Sequence, residues 1–140
     1  MKIRRASDAD AEALTACIIS AYAPYQEYGL PPVEEGVADD IIRHYVWVAD
    51  VDGSVVGGIV VMLDGQAHIA NLAVDPGAGG GGIGRALVEQ ACSAAKAEGF
   101  DEITLATHRA MTGTQQFYRK LGWEMTGRDG NKVYFSKQLN

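Results

Sequence analysis

The chain has no apolar run long enough to cross a bilayer as a helix. Its longest, Val55 to Leu63, is nine residues with two glycines inside it, where a spanning helix needs roughly 20. The start, MKIRRASDADAE, turns acidic where a secretory leader would be apolar, which predicts an undirected, cytoplasmic protein with no membrane partner. Cysteine is scarce: Cys17 and Cys92 stand far apart without CxxC spacing, so neither a disulfide framework nor a zinc site is expected, and no metal. Basic residues are outnumbered, 12 Lys and Arg against 18 Asp and Glu for a net charge of −6, a field that opposes phosphate backbones and argues against nucleic acid as a partner. Repeats and low-complexity tracts are missing, and 140 residues leave no room for a second core, so a single domain over 1–140 is expected.

What is present reads as mixed α and β. Lys2 to Arg5 suits a first strand, and Ser7 and Asp8 offer caps for a helix with Leu14, Ile18 and Ala21 at helical spacing. Tyr22 to Asp40 holds Pro24, Pro31, Pro32, Gly29 and Gly36, a loop composition with room for a short helix. Three β-rich runs then follow, YVWVAD, SVVGGIVVML and QAHIANLAV, divided by Asp52-Gly53 and Asp64-Gly65. Such dipeptides favour tight hairpins, so an antiparallel meander is expected. Ile83, Leu87, Ala91 and Ala95 form the stripe of a long amphipathic helix stopping at Gly99. A strand over 102–107, a short helix pairing Phe117 with Leu121, and strands over 123–125 and 133–136 complete the chain. The order is β-α-(α)-β-β-β-α-β-α-β-β: a mixed sheet of about six to seven strands flanked by about four helices.

Between the third meander strand and the long helix lies LAVDPGAGGGGIGR, residues 72–85. A glycine turn feeding a helix N-terminus presents unpaired N–H groups and the positive end of the helix dipole, and lets an anion approach the backbone. Five glycines in the six positions Gly79 to Gly84 are expensive in unfolded-chain entropy, which favours a binding role over a tolerated loop. A Walker loop would end Gly-Lys-Ser/Thr, whereas Gly84 is followed by Arg85 and Ala86, so no side chain is placed for magnesium. G-x-G-x-x-G matches at Gly77/Gly79/Gly82 and Gly79/Gly81/Gly84 are nearly automatic in so rich a run. A strand that follows antiparallel hairpins also does not suit a Rossmann unit, so dinucleotide binding is rejected.

Two motifs together resemble the GCN5-related N-acetyltransferase (GNAT) family. One is Leu72-Ala73-Val74-Asp75-Pro76 followed by Gly79-x-x-Gly82-x-Gly84; the other is Phe117-Tyr118-Arg119-Lys120-Leu121-Gly122-Trp123. The element order also matches the family's, so the resemblance covers essentially the whole chain. It implies acetyl-CoA as co-substrate, its pyrophosphate on the backbone of Gly79, Gly80, Gly81, Gly82, Ile83, Gly84 and Arg85. It also implies that the pantetheine arm pairs with Leu72, Ala73 and Val74 like an added strand. The chain departs from the family at Gly79, where Gln or Arg is usual, which keeps the backbone N–H but gives up any side-chain contact.

Acetyl transfer from a thioester to an amine needs a neutral amine, a polarised carbonyl and a proton for the departing thiolate. The resemblance assigns the proton to Tyr118, and a phenol near pKa 10 is close to a thiol near 8.5. For the base, many members use a glutamate on the strand ending L-A-V. Alternation from Val74 back through Leu72 and Ala70 reaches His68 instead, with no carboxylate on either face. His68 is thus the best-placed titratable side chain, the alternative being a strand histidine that is merely hydrogen-bonded.

THRAMTGTQQFY over 107–118 resembles a subgroup pattern T-H-x-x-M-T-x-N-Q-x-x-Y, with Thr114 in place of Asn; its hydroxyl would cap the helix or touch pantetheine, while His108 orders the loop. Tyr22, Tyr25 and Tyr28 with Glu27, Glu34, Glu35, Asp39 and Asp40 would suit an ammonium-bearing acceptor, a small molecule or peptide, unless they form a solvated acidic loop. The leading expectation is direct acetyl transfer in a ternary complex, since neither cysteine has a partnered base for a covalent route. The rival is a non-catalytic acyl-CoA-binding module. Family members often dimerise, but no interface is legible.

Overall fold

A computed structural model describes residues 1–29, 35–79 and 81–140; Pro31, Pro32, Glu34 and Gly80 lie outside these. The strands are β1 (Lys2–Arg5), β2 (Tyr45–Val51), β3 (Ser54–Met62), β4 (Ala67–Val74), β5 (Glu102–His108), β6 (Glu124–Asp129) and β7 (Lys132–Gln138). They form one seven-stranded sheet in the order β1-β2-β3-β4-β5-β7-β6, antiparallel throughout except between β4 and β5. The helices are α1 (Ala11–Tyr22), α2 (Val37–Arg43), α3 (Ile83–Ala97) and α4 (Thr112–Lys120). This is the expected mixed α/β architecture.

The local chemistry explains each piece. The hairpin between β2 and β3 turns on Asp52 and Gly53, both at positive φ, as a right-twisted two-residue hairpin requires. The chain enters α1 through a 3-10 turn at Asp8–Asp10 capped by Ser7, whose backbone N–H donates to the Asp10 carboxylate at 2.7 Å. Arg4 grips the same carboxylate through both terminal nitrogens at 2.8 and 2.9 Å and reaches Asp50 through Nε at 3.1 Å, fastening β1, the turn and β2 together.

The sheet buries both faces. On one, Ile83, Leu87, Val88, Ala91 and Ala95 of α3 and Tyr118 of α4 meet Ile59, Val61, Ile69, Ile103, Leu105 and Phe135. On the other, Leu14 and Ile18 of α1 and Val37 of α2 meet Val46, Val48, Val60 and Ala73. The α3 stripe is the one its periodicity predicts. Leu14 packs so closely on Gly58 that a Cβ there would collide with its side chain. No helix among the described residues is long and apolar enough to cross a membrane.

Candidate active site

The sheet opens in its middle. β4 pairs with β5 only at Ala67, His68 and Ile69, opposite Ile103, Thr104 and Leu105; beyond these, the two strands run on to Val74 and His108 without pairing with each other, each still paired with its outer neighbour. The divergence starts at a bulge, since Val61 faces Ile69 but Val60 faces Asn71, leaving Ala70 as the extra residue. A cleft of about 570 Å³ occupies the gap, lined by Asn71 to Val74, by Leu105 to Thr107, by the glycine turn, and by residues of α1 and α4.

The backbone beyond the bulge faces the cleft. Asp75 N–H donates to Val56 O, and the Ala73 carbonyl also points at β3, 3.1 Å from the place a Cβ on Gly57 would take. Peptide groups alternate along a strand, so Leu72 and Val74 turn their N–H and C=O away from β3 into the cleft. Gly79, Gly82, Ile83, Gly84 and Arg85 line its far end. Gly82 caps α3 at φ 75°, a left-handed conformation open to glycine. A Cβ on Gly84 would lie 3.2 Å from Phe117 Cζ, so its absence lets the first turn of α3 approach α4. Gly79 has room: a Cβ there would meet only Pro76 O at 3.5 Å. Arg85, the one charged side chain among the described cleft residues, is held 2.9 Å from Glu89 on the surface of α3. Gly80 lies outside the described residues, and Gly81 does not line the cleft.

Tyr118 stands in the cleft wall, 3% exposed, its ring met edge-on by Phe117 and Trp123 at 5.1 and 5.4 Å. Burial pushes the phenol well above its ordinary range, with Tyr22 and Cys92 adding to the rise. The near match with a thiol expected from an unperturbed phenol does not hold in the free protein. Tyr22, on α1, is also pushed up, to about 12, by burial with Tyr25 contributing.

His68 is not brought into the cleft. It sits where β4 and β5 still pair, its Nδ1 2.9 Å from Thr104 Oγ1. The Thr104 hydroxyl also lies 3.4 Å from Ala67 O, and burial lowers the His68 pKa. Alternation misplaced it because the Ala70 bulge inverts the parity of the strand. Ala67 and Ile69 before it and Leu72 and Val74 after it all face the α3 core, leaving His68 on the face of Ala73 and α1.

Other expectations divide similarly. Thr114 lines the cleft from inside α4, whose N-cap is Met111. His108 accepts the Ala110 N–H on Nδ1 at 3.0 Å, ordering the loop. Buried Gln115, which no motif reading singled out as functional, ties that loop down by donating to the carbonyls of His108 and Arg109. Tyr22 and Tyr25 line the cleft, but of the acidic residues expected beside them, Glu27, Glu35, Asp39 and Asp40 do not, and Glu34 lies outside the described residues: Asp39 pairs with Arg43 at 3.1 Å, and Asp40 is half-buried with its pKa raised by burial.

Fold and cleft together define a mixed sheet opened at its one parallel pair beside a glycine turn. Residues 13–123 match the acetyltransferase (GNAT) family, to which the chain belongs. It is 34% identical over 96 residues to the peptidyl-lysine N-acetyltransferase YjaB of Salmonella typhimurium, covering 69% of this chain and 61% of that protein. To N-acetyltransferase family 8 member 3 of Rattus norvegicus it is 29% identical over 128 residues, 81% of this chain and 56% of that one. The chain thus spans about three-fifths of the length of these curated relatives. In fold it is similar to the PaiA N-acetyltransferase of Thermoplasma acidophilum, solved with coenzyme A, at a TM-score of 0.87 and 22% identity over 98% of both chains.

Proposed function

We propose that the chain, as one N-acetyltransferase domain, moves an acetyl group from acetyl-CoA to a primary amine by direct attack in a ternary complex. The observation that carries this reading is the open half of β4, where Leu72 and Val74 turn backbone groups without a partner strand into a cleft bounded by the glycine turn and Tyr118, only the Leu72 carbonyl being met there, by the Tyr22 hydroxyl. Those groups suit an extended amide-bearing arm laid in as a further strand. The N–H groups at the start of α3, with its dipole, suit the phosphates at the arm's end.

In this reading a backbone N–H of the open half polarises the thioester carbonyl. The neutral amine forms the C–N bond, the C–S bond breaks, and Tyr118 gives its proton to the departing sulfur. Tyr118 recovers a proton from the former amine nitrogen through cleft water, so products are the amide and the free thiol. Burial keeps Tyr118 protonated across the working range, which an acid needs; the same burial disfavours the phenolate left behind, so proton return must be fast. No carboxylate or imidazole lines the cleft among the described residues. The proton that makes the amine neutral therefore leaves to solvent, and His68 is read as a support for the closed half.

The test is thiol release from acetyl-CoA with a panel of amines, polyamines, amino acids and peptides, wild type against Tyr118→Phe. A fall of at least tenfold in turnover, about 1.4 kcal/mol of barrier, is expected for the variant. Binding of acetyl-CoA without turnover on any amine would favour the acyl-CoA-binding module, and absence of binding would sink both.

A further inference from the structure

The two walls of the cleft differ in chemistry. One carries the glycine turn, Phe117 and Tyr118; the other is Ala21, Tyr22 and Tyr25. Resting on the acyl-transfer reading, the second wall is the side left for the acceptor. It holds no counter-ion among the described residues, because the acidic side chains of the 27–40 segment that are described do not line the cleft.

Tyr22 supplies what a carboxylate would. Its hydroxyl has one proton, and that proton is directed at two acceptors, Asn71 Oδ1 at 3.2 Å and Leu72 O at 3.4 Å. With the donor committed, the oxygen offers the cleft only lone pairs. Next along the chain comes a row of rings: Tyr25 and Tyr28 are tilted at 32° with centroids 6.2 Å apart, and Tyr28 stacks on His108 at 5.8 Å and 24°. Tyr28 is 40% exposed, so this aromatic rail reaches the surface. His108 is fixed in it by the Ala110 N–H, which donates to its Nδ1 at 3.0 Å.

We propose that Tyr22 Oη and the Tyr25–Tyr28–His108 rail form the acceptor subsite, and that it takes a primary monoamine on a flat, apolar carrier such as an aryl group. The amine nitrogen donates to the Tyr22 oxygen and the carrier lies along the rings. Putrescine brings no flat carrier to lie along the rings, and its second ammonium finds no carboxylate among the described residues that line the cleft; a carboxylate finds only a phenol oxygen and ring faces that repel it.

Calorimetric titration of the full chain, saturated with coenzyme A, compares 2-phenylethylamine, putrescine and 3-phenylpropionate. Phenylethylamine is expected to bind about tenfold more tightly than either of the others, a difference of about 1.4 kcal/mol. Tyr22→Phe should weaken it about fivefold with coenzyme A affinity unchanged, and Tyr28→Ala should weaken it too, both with unaltered melting temperature. Equal or tighter binding of putrescine, no effect of Tyr22→Phe on the amine, or a loss confined to coenzyme A overturns the proposal; the last would mean that Tyr22 only braces Leu72. A wild type that fails to bind coenzyme A sinks the acyl-transfer reading instead, and the same amine titrations on the free chain then judge the subsite separately.

Discussion

The two halves of β4 belong to one eight-residue strand yet do opposite work. At His68 and Ile69 it is paired on both sides, with β3 and with β5, and Ala67 extends the pairing with β5; from Leu72 to Val74 it is paired with β3 alone. The closed half carries the one titratable side chain of the strand, and the open half carries only the isobutyl, methyl and isopropyl groups of Leu72, Ala73 and Val74. What makes the open half the candidate site is a backbone edge with no partner strand on the β5 side, and the closed half supplies the rigid hinge from which the gap opens.

Mutations can pull the halves apart. Ile69→Ala, in the buried closed half, should lower unfolding stability by about 2–5 kcal/mol in denaturant titration, while Leu72→Ala, only half-buried, should lower it much less. Equal losses would mean the gap is not a boundary in packing. At the far end of the open half, Gly82→Ala places a side chain at positive φ and costs about 1–2 kcal/mol, which calorimetry should register as roughly tenfold weaker acetyl-CoA binding. Gly79→Arg goes the other way: the site has room, and a restored cation should tighten acetyl-CoA by about fivefold, less at high salt.

The smallest effect concerns pH. Because burial depresses the His68 pKa, the folded chain resists protonating it. The associated stability is complete above the unfolded value near 6.5 and declines as pH falls below it toward the folded value. Urea midpoints should therefore drop from about pH 7 to about pH 5, and His68→Gln should flatten that part of the curve. A slope unchanged in the variant would assign it to other groups.

How much of this was readable from the residues follows the range of the forces involved. Hairpin dipeptides and the Ile83–Leu87–Ala91–Ala95 stripe are local, and they placed the meander and α3 correctly. The family motifs located the turn and Tyr118. The Ala70 bulge left no mark: a run as evenly apolar as IANLAV shows no break in alternation, so the parity inversion that moves His68 to the other face is set by pairing with β3. The burial of Tyr118 comes from Phe117, Trp123 and Phe135 closing round it, which no spacing rule reports. Three tyrosines near residues 22–28 suggested a cation site, yet the partners that commit the Tyr22 proton lie some 50 positions away.

An interior gap between two strands also bears on how long the molecule lasts. Peptide groups facing it must be hydrated when it is empty, so the free chain gives up hydrogen bonds and dispersion contacts that a continuous sheet would have. Whatever extended ligand fills the slot adds to the folding free energy in proportion to the logarithm of its concentration, about 2.7 kcal/mol at a hundred times its dissociation constant. Resistance to proteolysis and heat then follows ligand supply, and the half-life of the protein becomes a gauge of how full its missing strand is.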